Sequence, residues 1–421
     1  MIPARAVTAA TSKNPPLFQE PIHILGAGAI GMLWAASIRC AFPNYPVKLL
    51  MRDNNNNNQH KESLRTTTKN PKLLSICLRQ FHFGGGDVPP SLQQGLKQKR
   101  RGGSPRTVHV PCEIVTSTAT TSTTTTSAAV MHAASRTWTT ATTIRNLIVT
   151  TKAASAVSAV QSVRHRIDID TTRIILLCNG AMAVRDELTH MLQQQQLVNA
   201  ASNSSHSHSA RMRVHLALTT HGVYREAASD DDDDDMHHVV HAGYGNTVLQ
   251  GLEPMAALWD MVGLNCKHVS TDSDEMQRLM WNKLAANCVI NPLTALHNCL
   301  NGEIRKLPQF ENYYYPALLS EIAQVCVAAT AADGATTTTN GTMSNRSAVE
   351  ADFREYVDGV IRDTAHNRSS MLQDVAAHRD TEVDYLSGYV VRVGAAHGIS
   401  CPVHDELWQA VHSLRHHHQQ Q

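Results

Sequence analysis

The sequence predicts an α/β fold: an N-terminal Rossmann-type, doubly wound parallel sheet followed by an all-helical C-terminal domain. Three observations predict it. A glycine-rich turn directly follows the apolar segment 22–25. Short β-branched or aliphatic segments then alternate with helix-length stretches as far as about residue 272, and beyond residue 274 the apolar residues recur at longer, helical spacing.

Segments 22–25, 47–51, 147–151, 174–178 and 214–218, short and rich in β-branched or aliphatic residues, read as buried parallel strands. Stretches 29–40, 154–163 and 183–192 have the length and spacing of the intervening helices, and 239–241, 247–249 and 267–269 read as strands completing the sheet's edge. Helices are expected at 276–290, 315–330, 349–366, 382–397 and 404–414. The expected organisation is a flexible tail over 1–20, a nucleotide-binding domain over 21–272, a helical substrate-binding and catalytic domain over 273–415, and a polar tail over 416–421. Five low-complexity tracts read as loop insertions: Asn 54–58, Thr-rich 116–126, Gln 193–196, Asp 230–235 and Thr 336–339. Such tracts bury too little apolar surface to offset the entropy of ordering them, and surface loops tolerate added length cheaply.

Composition excludes several classes. With 421 residues, 42% of them hydrophobic, the chain is long enough for two domains with substantial cores. The formal net charge of +1 gives no general argument for nucleic acid, and the basic cluster Lys97, Lys99, Arg100, Arg101 reads as a solvated loop. Nine scattered cysteines without a CxxC pair suit a reducing compartment and no structural zinc, and no metal is expected from the histidines, many of which sit in polar runs such as 206–208 and 416–418. No apolar stretch approaches spanning length, so a cytoplasmic location without membrane association is expected. Residues 1–19 carry Arg5 and Lys13 but no acid, which keeps mitochondrial import as an alternative to a plain disordered tail.

The first motif that carries chemistry is Gly26-Ala27-Gly28-Ala29-Ile30-Gly31, a GxGxxG placed between a strand and a helix. Gly26 permits the tight turn, Gly28 lets backbone approach a pyrophosphate, and Gly31 lets the helix pack on the strand, while the helix N-terminus favours the anion. In this setting a dinucleotide is the expected ligand. An NAD site places an acid at the end of the second strand, but here the strand ends in Arg52, whose guanidinium suits the 2′-phosphate of NADPH. The alternative for Arg52 is an ordinary surface-loop residue.

The second motif is Trp281-Asn-Lys283-Leu-Ala-Ala-Asn287-Cys-Val-Ile-Asn291-Pro292. Lys283, Asn287 and Asn291 recur every four residues and therefore share one helix face. Asparagine is a poor helix former, so two in register with a lysine point to ligand recognition, with a hydrated or packing-related stripe as the alternative. Reduction of a ketone needs hydride at carbon and a proton at oxygen, and a partly buried lysine can both polarise the carbonyl and deliver that proton. The segment Asn367-Arg368-Ser369-Ser370 either caps a helix or holds a carboxylate. Glu382 opens the next helical stretch, where it suits the dipole, the cofactor ribose or Lys283.

These segments resemble the ketopantoate reductase family. The likeness rests on the glycine loop together with Thr151-Lys152-Ala153, Cys178-Asn179-Gly180, Thr219-Thr220-His221-Gly222, the stretch 281–304, Ser369-Ser370-Met371-Leu372-Gln373-Asp374 and 381–389. The resemblance implies NADPH-dependent reduction of 2-dehydropantoate, a small-molecule substrate, to (R)-pantoate, by a monomer or homodimer. It implies Lys283 as proton donor, and Asn287, Asn291, Asn301 and Asn367 to Ser370 as the substrate site. It further implies that Arg52 and Lys152 meet the cofactor phosphates, that Asn179 touches both ligands, and that Val223 and Glu382 line the cofactor site. The chain departs from the family in length, swollen between Arg52 and Leu147. A sibling 2-oxo acid reductase of the same fold and a non-catalytic NADPH-binding sensor are the competing readings.

Overall fold

A computed structural model describes residues 20–52, 73–80, 106–115, 143–202, 213–226, 236–252, 255–271, 273–332 and 345–418. The tail 1–19, the basic cluster at 97–101 and the Asn, Thr and Asp tracts lie outside these residues. The described residues divide into two compact units, one lying within residues 1–151, 156–177 and 197–270, the other within residues 152–155, 178–196 and 271–421.

The first unit is built on an 11-stranded sheet. Its strands are β1 (Ile22–Leu25), β2 (Val47–Arg52), β3 (Leu73–Gln80), β4 (Arg106–Val115), β5 (Asn146–Val149), β6 (Arg173–Leu176), β7 (Arg213–Thr219), β8 (Gly222–Arg225), β9 (Met236–Gly243), β10 (Thr247–Gln250) and β11 (Cys266–Val269). Their order is β11-β10-β7-β6-β5-β1-β2-β4-β3-β9-β8. The expected strands β1, β2, β5, β6 and β7 run parallel as neighbours. Every residue of β1 and β5 is buried, as strands covered on both faces must be.

The order reverses at β1, with β2 on one side and β5 on the other. In open α/β sheets that reversal, at the C-terminal strand ends, is where ligands bind. Helix α1 (Ala29–Ala41) leaves β1 there. Its buried Trp34 meets Trp259 edge-on at 5.4 Å within the core.

Several expectations need correction. The late strands do not form one edge: β10 and β11 close one side of the sheet, while β9 and β8 close the other. Strands β3 and β4 pair with each other and insert between β2 and β9; low-complexity sequence around them masks their pattern. The glutamine run 193–196 is not a loop, because helix α2 (Ala153–Ser162) is followed by α3 (Ala181–Ser202), which runs through it. Glutamine is a good helix former and simply prolongs the helix begun by the apolar turns before it.

The second unit is helical. After the short α4 (Ala256–Met261) of the first unit come α5 (Glu275–His297), α6 (Tyr315–Ala332), α7 (Arg346–Asp363), α8 (Ser370–Ala376), α9 (Ser387–Ala396) and α10 (Pro402–His418). Helix α10 continues into the stretch read from sequence as a polar tail. No α-helix begins at Glu382, which instead caps the 3₁₀ turn Val383–Tyr385; Leu386, at φ −112° and ψ −98°, separates that turn from α9. The expectation about membrane spans also needs amending. The helical stretch Phe310–Ala332 is long and apolar enough to cross a bilayer, and half of its most apolar window is buried within the fold. Leu318, Leu319 and Ile322 supply that buried face.

Candidate active site

The glycine loop is shaped by steric necessity at two positions. Gly26 sits at φ +116°, and a Cβ there meets Thr151 at 2.9 Å. A Cβ on Gly31 lies 2.0 Å from the Gly26 carbonyl oxygen and 2.5 Å from Thr150 Oγ1, so helix and strand approach only without a side chain. The Thr150 hydroxyl donates to the Gly26 carbonyl at 2.9 Å, tying the loop to the end of β5. Gly28 is exposed, and a Cβ there meets nothing closer than Thr150 O at 3.9 Å. It is also the N-cap of α1, with no side-chain cap hydrogen bond and no acid in the first turn. The helix end therefore presents backbone N–H groups beside open space, a cradle suited to a phosphate.

Ala29 starts the helix, while Ala27, Ile30 and Val223 pack against the first unit's core cluster. Val223 lies in β8 opposite His241, at a register shift. Arg52 is the last residue of β2, two residues beyond Leu50, whose carbonyl accepts from Gly26 N at 3.1 Å.

In the second unit, four sequence segments meet at Glu382. One carboxylate oxygen accepts from Ala153 N at 3.0 Å, and the other accepts from Asn179 Nδ2 at 3.1 Å. Burial pushes the Glu382 pKa up, against the lowering influence of these two hydrogen bonds and of Lys152. Lys283, on α5, feels both Glu382 and the Cys178 thiol. Burial is the largest influence on its ammonium and lowers its pKa, while Cys178 and Glu382 act in the opposite sense. Burial likewise pushes the Cys178 thiol up to about 12, leaving a neutral S–H beside the lysine.

Asn287 and Asn291 follow Lys283 at one-turn intervals along a helix whose other residues here are almost all buried; Asn287 is half-buried and Asn291 is 6% exposed. Pro292 lies inside the same helix, which ends with Asn298 in the left-handed region at φ +47°. The next turn carries Asn301, whose backbone N–H donates to the Asn367 carbonyl at 3.0 Å. Asn301 Nδ2 donates to Thr364 Oγ1 at 3.0 Å, but its buried Oδ1 has no hydrogen-bond partner among the described residues. An orphaned amide oxygen beside this cluster is a natural acceptor for a ligand hydroxyl.

Asn367 and Arg368 are exposed. Ser369 is buried and acts as N-cap of α8: its Oγ accepts from Leu372 N at 3.1 Å and shares a 2.6 Å hydrogen bond with Thr294 Oγ1. Its hydroxyl is thus committed to fixing α8 on α5, while that of Ser370, at the first position of α8, is exposed.

Lys152 is held by a residue that the motif reading did not single out. Its ammonium lies 2.6 Å from Asp374 Oδ2, donates to the Asp380 carbonyl at 3.2 Å, and shares Asp374 with Arg379, 3.0 Å from the other oxygen. The signal was present in sequence, since Asp374 ends the motif begun by Ser369. Its partner, 222 residues earlier, was not visible there.

Comparison with known proteins follows the same outline. A family model described as ketopantoate reductase PanE/ApbA matches residues 92–254, and one described as its C-terminal part matches residues 275–415. The glycine loop lies before the first of these stretches. The 2-dehydropantoate 2-reductase of Vibrio cholerae is 32% identical over 275 residues, covering 64% of this chain and 77% of that protein. The Salmonella typhimurium 2-dehydropantoate 2-reductase is 34% identical over 267 residues, covering 63% and 72%. Among solved structures, a PanE/ApbA family ketopantoate reductase from Ralstonia eutropha aligns with TM-score 0.60 at 18% identity over 95% of this chain and 99% of that one. A D-mandelate dehydrogenase solved with NADH and anilino(oxo)acetate aligns with TM-score 0.56 at 17% identity over 94% and 98%.

These matches define the class: an oxidoreductase with a Rossmann-type unit and a helical C-terminal unit. Within that class, the chain belongs to the ketopantoate reductase family.

Proposed function

We propose that this chain reduces 2-dehydropantoate to (R)-pantoate with NADPH, and that residues 21–272 and 273–415 serve as its cofactor-binding and catalytic domains. The observation that carries the reading is the state of Lys283: a lysine whose burial lowers its pKa, beside Glu382, on a helix that repeats asparagine every turn after it.

The residues present fit a dinucleotide, because the open, uncapped α1 N-terminus and the side-chain-free approach at Gly28 leave room and N–H donors for a pyrophosphate. Gly26 to Gly31 would hold that group, and the family resemblance would give Arg52 and Lys152 to its phosphates and Val223 and Glu382 to the lining of its site. NADPH, when bound, supplies the hydride. Arg52 supports NADPH over NADH, since β2 ends in a guanidinium suited to a 2′-phosphate, with Asp53 following only beyond the strand.

Lys283 polarises the substrate carbonyl and passes a proton to its oxygen as negative charge develops there. Its lowered pKa makes that transfer less costly near neutral pH than from an ordinary lysine. Asn179, anchored to Glu382, stands beside the lysine's charge partner and orients substrate. Asn287 and Asn291 hydrogen-bond substrate oxygens, and Asn301 accepts from a substrate hydroxyl through its Oδ1, which has no partner among the described residues. Asn367, Arg368 and Ser370 receive the substrate carboxylate, with Ser369 fixing the helix end that presents them. Glu382 favours the protonated form of Lys283, opposing the effect of burial on the ammonium.

The test is NADPH oxidation by purified protein with ketopantoate, compared with a panel of other 2-oxo acids. The likeness to D-mandelate dehydrogenase supports one second reading, a sibling 2-oxo acid reductase. Under that reading a bulkier 2-oxo acid gives the higher kcat/KM.

A further inference from the structure

Glu382 sits on a turn with little backbone support of its own. The 3₁₀ segment Val383–Tyr385 is closed by Tyr385 N to Glu382 O at 3.0 Å and Leu386 N to Val383 O at 3.2 Å, and no helical ladder continues from it. Something else has to keep its carboxylate on Ala153 and Asn179.

The support lies on helix α10. Asp384 Oδ1 accepts two hydrogen bonds at 2.8 Å, from Trp408 Nε1 and from His412 Nε2. The two donors are four residues apart, one above the other on a single helix face. Burial raises the Asp384 pKa, but the hydrogen bonds from Trp408 and His412, together with the charges of His412 and Arg392, hold the carboxyl below its ordinary value. An ionised acceptor requires that His412 carry its proton on Nε2. The Asp384 carbonyl takes a further hydrogen bond from Arg392 Nη2 at 3.0 Å.

Two glycines let this arrangement close. A Cβ on Gly388 falls 2.9 Å from Trp408 Cε2, so the indole reaches Asp384 only because that position is bare. A Cβ on Gly180, the residue after Asn179, falls 2.6 Å from Tyr385 Cβ. The turn is therefore bracketed between the Asn179 segment and α10.

We propose that Trp408 and His412, acting through Asp384, are positioning residues that set the place of the Glu382 carboxylate for the reaction. The inference rests on the proposed reductase function for its kinetic readout but not for its structural one. The ionisable groups around the turn are His412 and Arg392 at Asp384, Lys152, Asp374 and Lys283 at Glu382, and Tyr385, hydrogen-bonded to Glu187 at 3.4 Å.

The experiment compares the full chain with the double variant Trp408→Phe/His412→Leu and with His412→Gln, which keeps an N–H donor near the imidazole Nε2. Two quantities are read: hydrogen exchange at the Ala153 amide, which donates to Glu382, and the pH profiles of kcat and KM with NADPH and ketopantoate. The double variant should speed Ala153 exchange about tenfold or more and lower kcat by a similar factor, with KM within about threefold and the acid limb of the kcat profile displaced. His412→Gln should stay within about twofold of wild type on both counts. Wild-type exchange and kcat in a folded double variant overturn the proposal, as does a His412→Gln variant impaired as severely as the double one. If the double variant does not fold, Trp408→Phe alone carries the same two outcomes. A wild-type chain inert toward ketopantoate contradicts the proposed reaction only, and Ala153 exchange then decides the positioning role.

Discussion

The side-chain amide of Asn179 donates to Glu382 Oε2 at 3.1 Å, joining residues 203 positions apart, while the other oxygen of the same carboxylate accepts from Ala153 N. One buried carboxylate thus ties the segments after β5 and β6 to the turn before α9. Replacing Glu382 with Gln keeps the shape but offers only one acceptor oxygen and no charge beside Lys283. The expected result is a fall in kcat of about 10²-fold or more, with a smaller change in KM, measured by steady-state NADPH oxidation.

Lys283→Ala should lower kcat by about 10²- to 10⁴-fold while leaving NADPH affinity within a few-fold of wild type, because its role is in proton transfer. Fluorescence titration with NADPH separates the two effects. Loss of affinity equal to the loss of turnover would count against the assignment.

The same lysine carries a stability signature. A folded-state pKa below the unfolded value stabilises the fold above the unfolded pKa, and that contribution is lost as pH falls through the folded pKa. Below the unfolded pKa this lysine is therefore a burden on the fold. Lys283→Met should raise Tm by roughly 2–4 °C at pH 7, with the gain shrinking as pH rises beyond the lowered pKa, measured by thermal melts across pH.

In the first unit, His221 Nε2 donates to Leu264 O at 2.9 Å, so its Nδ1 is left to accept from Gly245 N at 2.9 Å and from His241 Nε2 at 3.0 Å. Burial is the largest influence holding His241 down to about 4 and lowers His221 in the same direction, so both are kept neutral. The sign follows directly: folded pKa values below 6.5 give stability that is present above pH 6.5 and is lost as pH falls toward 4. Melts between pH 4 and pH 8 should show this loss, and His241→Gln should flatten it. An identical slope in the variant would assign the acid sensitivity elsewhere.

Asp374→Asn should weaken the hold on Lys152 and Arg379 at once. Both cations are substantially exposed, so the stability change should be about 1 kcal/mol or less, while KM for NADPH shifts and becomes more salt-dependent.

Much of this was legible in the sequence because local chemistry made it so. Gly26, Gly28 and Gly31 announce a strand-turn-helix by their spacing, and Lys283, Asn287 and Asn291 announce a polar face by theirs. The ends of β1, β2, β5, β6 and β7 fell within a few residues of the apolar runs that encode them. What was hidden depends on distant partners or on masking. Strands β3 and β4 are flanked by tracts of Asn, Gln, Gly and Thr that break the alternation signal, and the glutamines at 193–196 look like a loop but satisfy a helix. The Lys152–Asp374 pair and the grip of Trp408 and His412 on Asp384 are set by tertiary folding, which no spacing rule reveals.

The central claim is tested most directly by mixing the purified chain with NADPH and ketopantoate and following both nicotinamide absorbance and the stereochemistry of the product. The account predicts stoichiometric NADPH oxidation with formation of (R)-pantoate, abolished by Lys283→Ala. A folded, NADPH-binding protein that leaves ketopantoate untouched, or that turns over another 2-oxo acid with a higher kcat/KM, would contradict it.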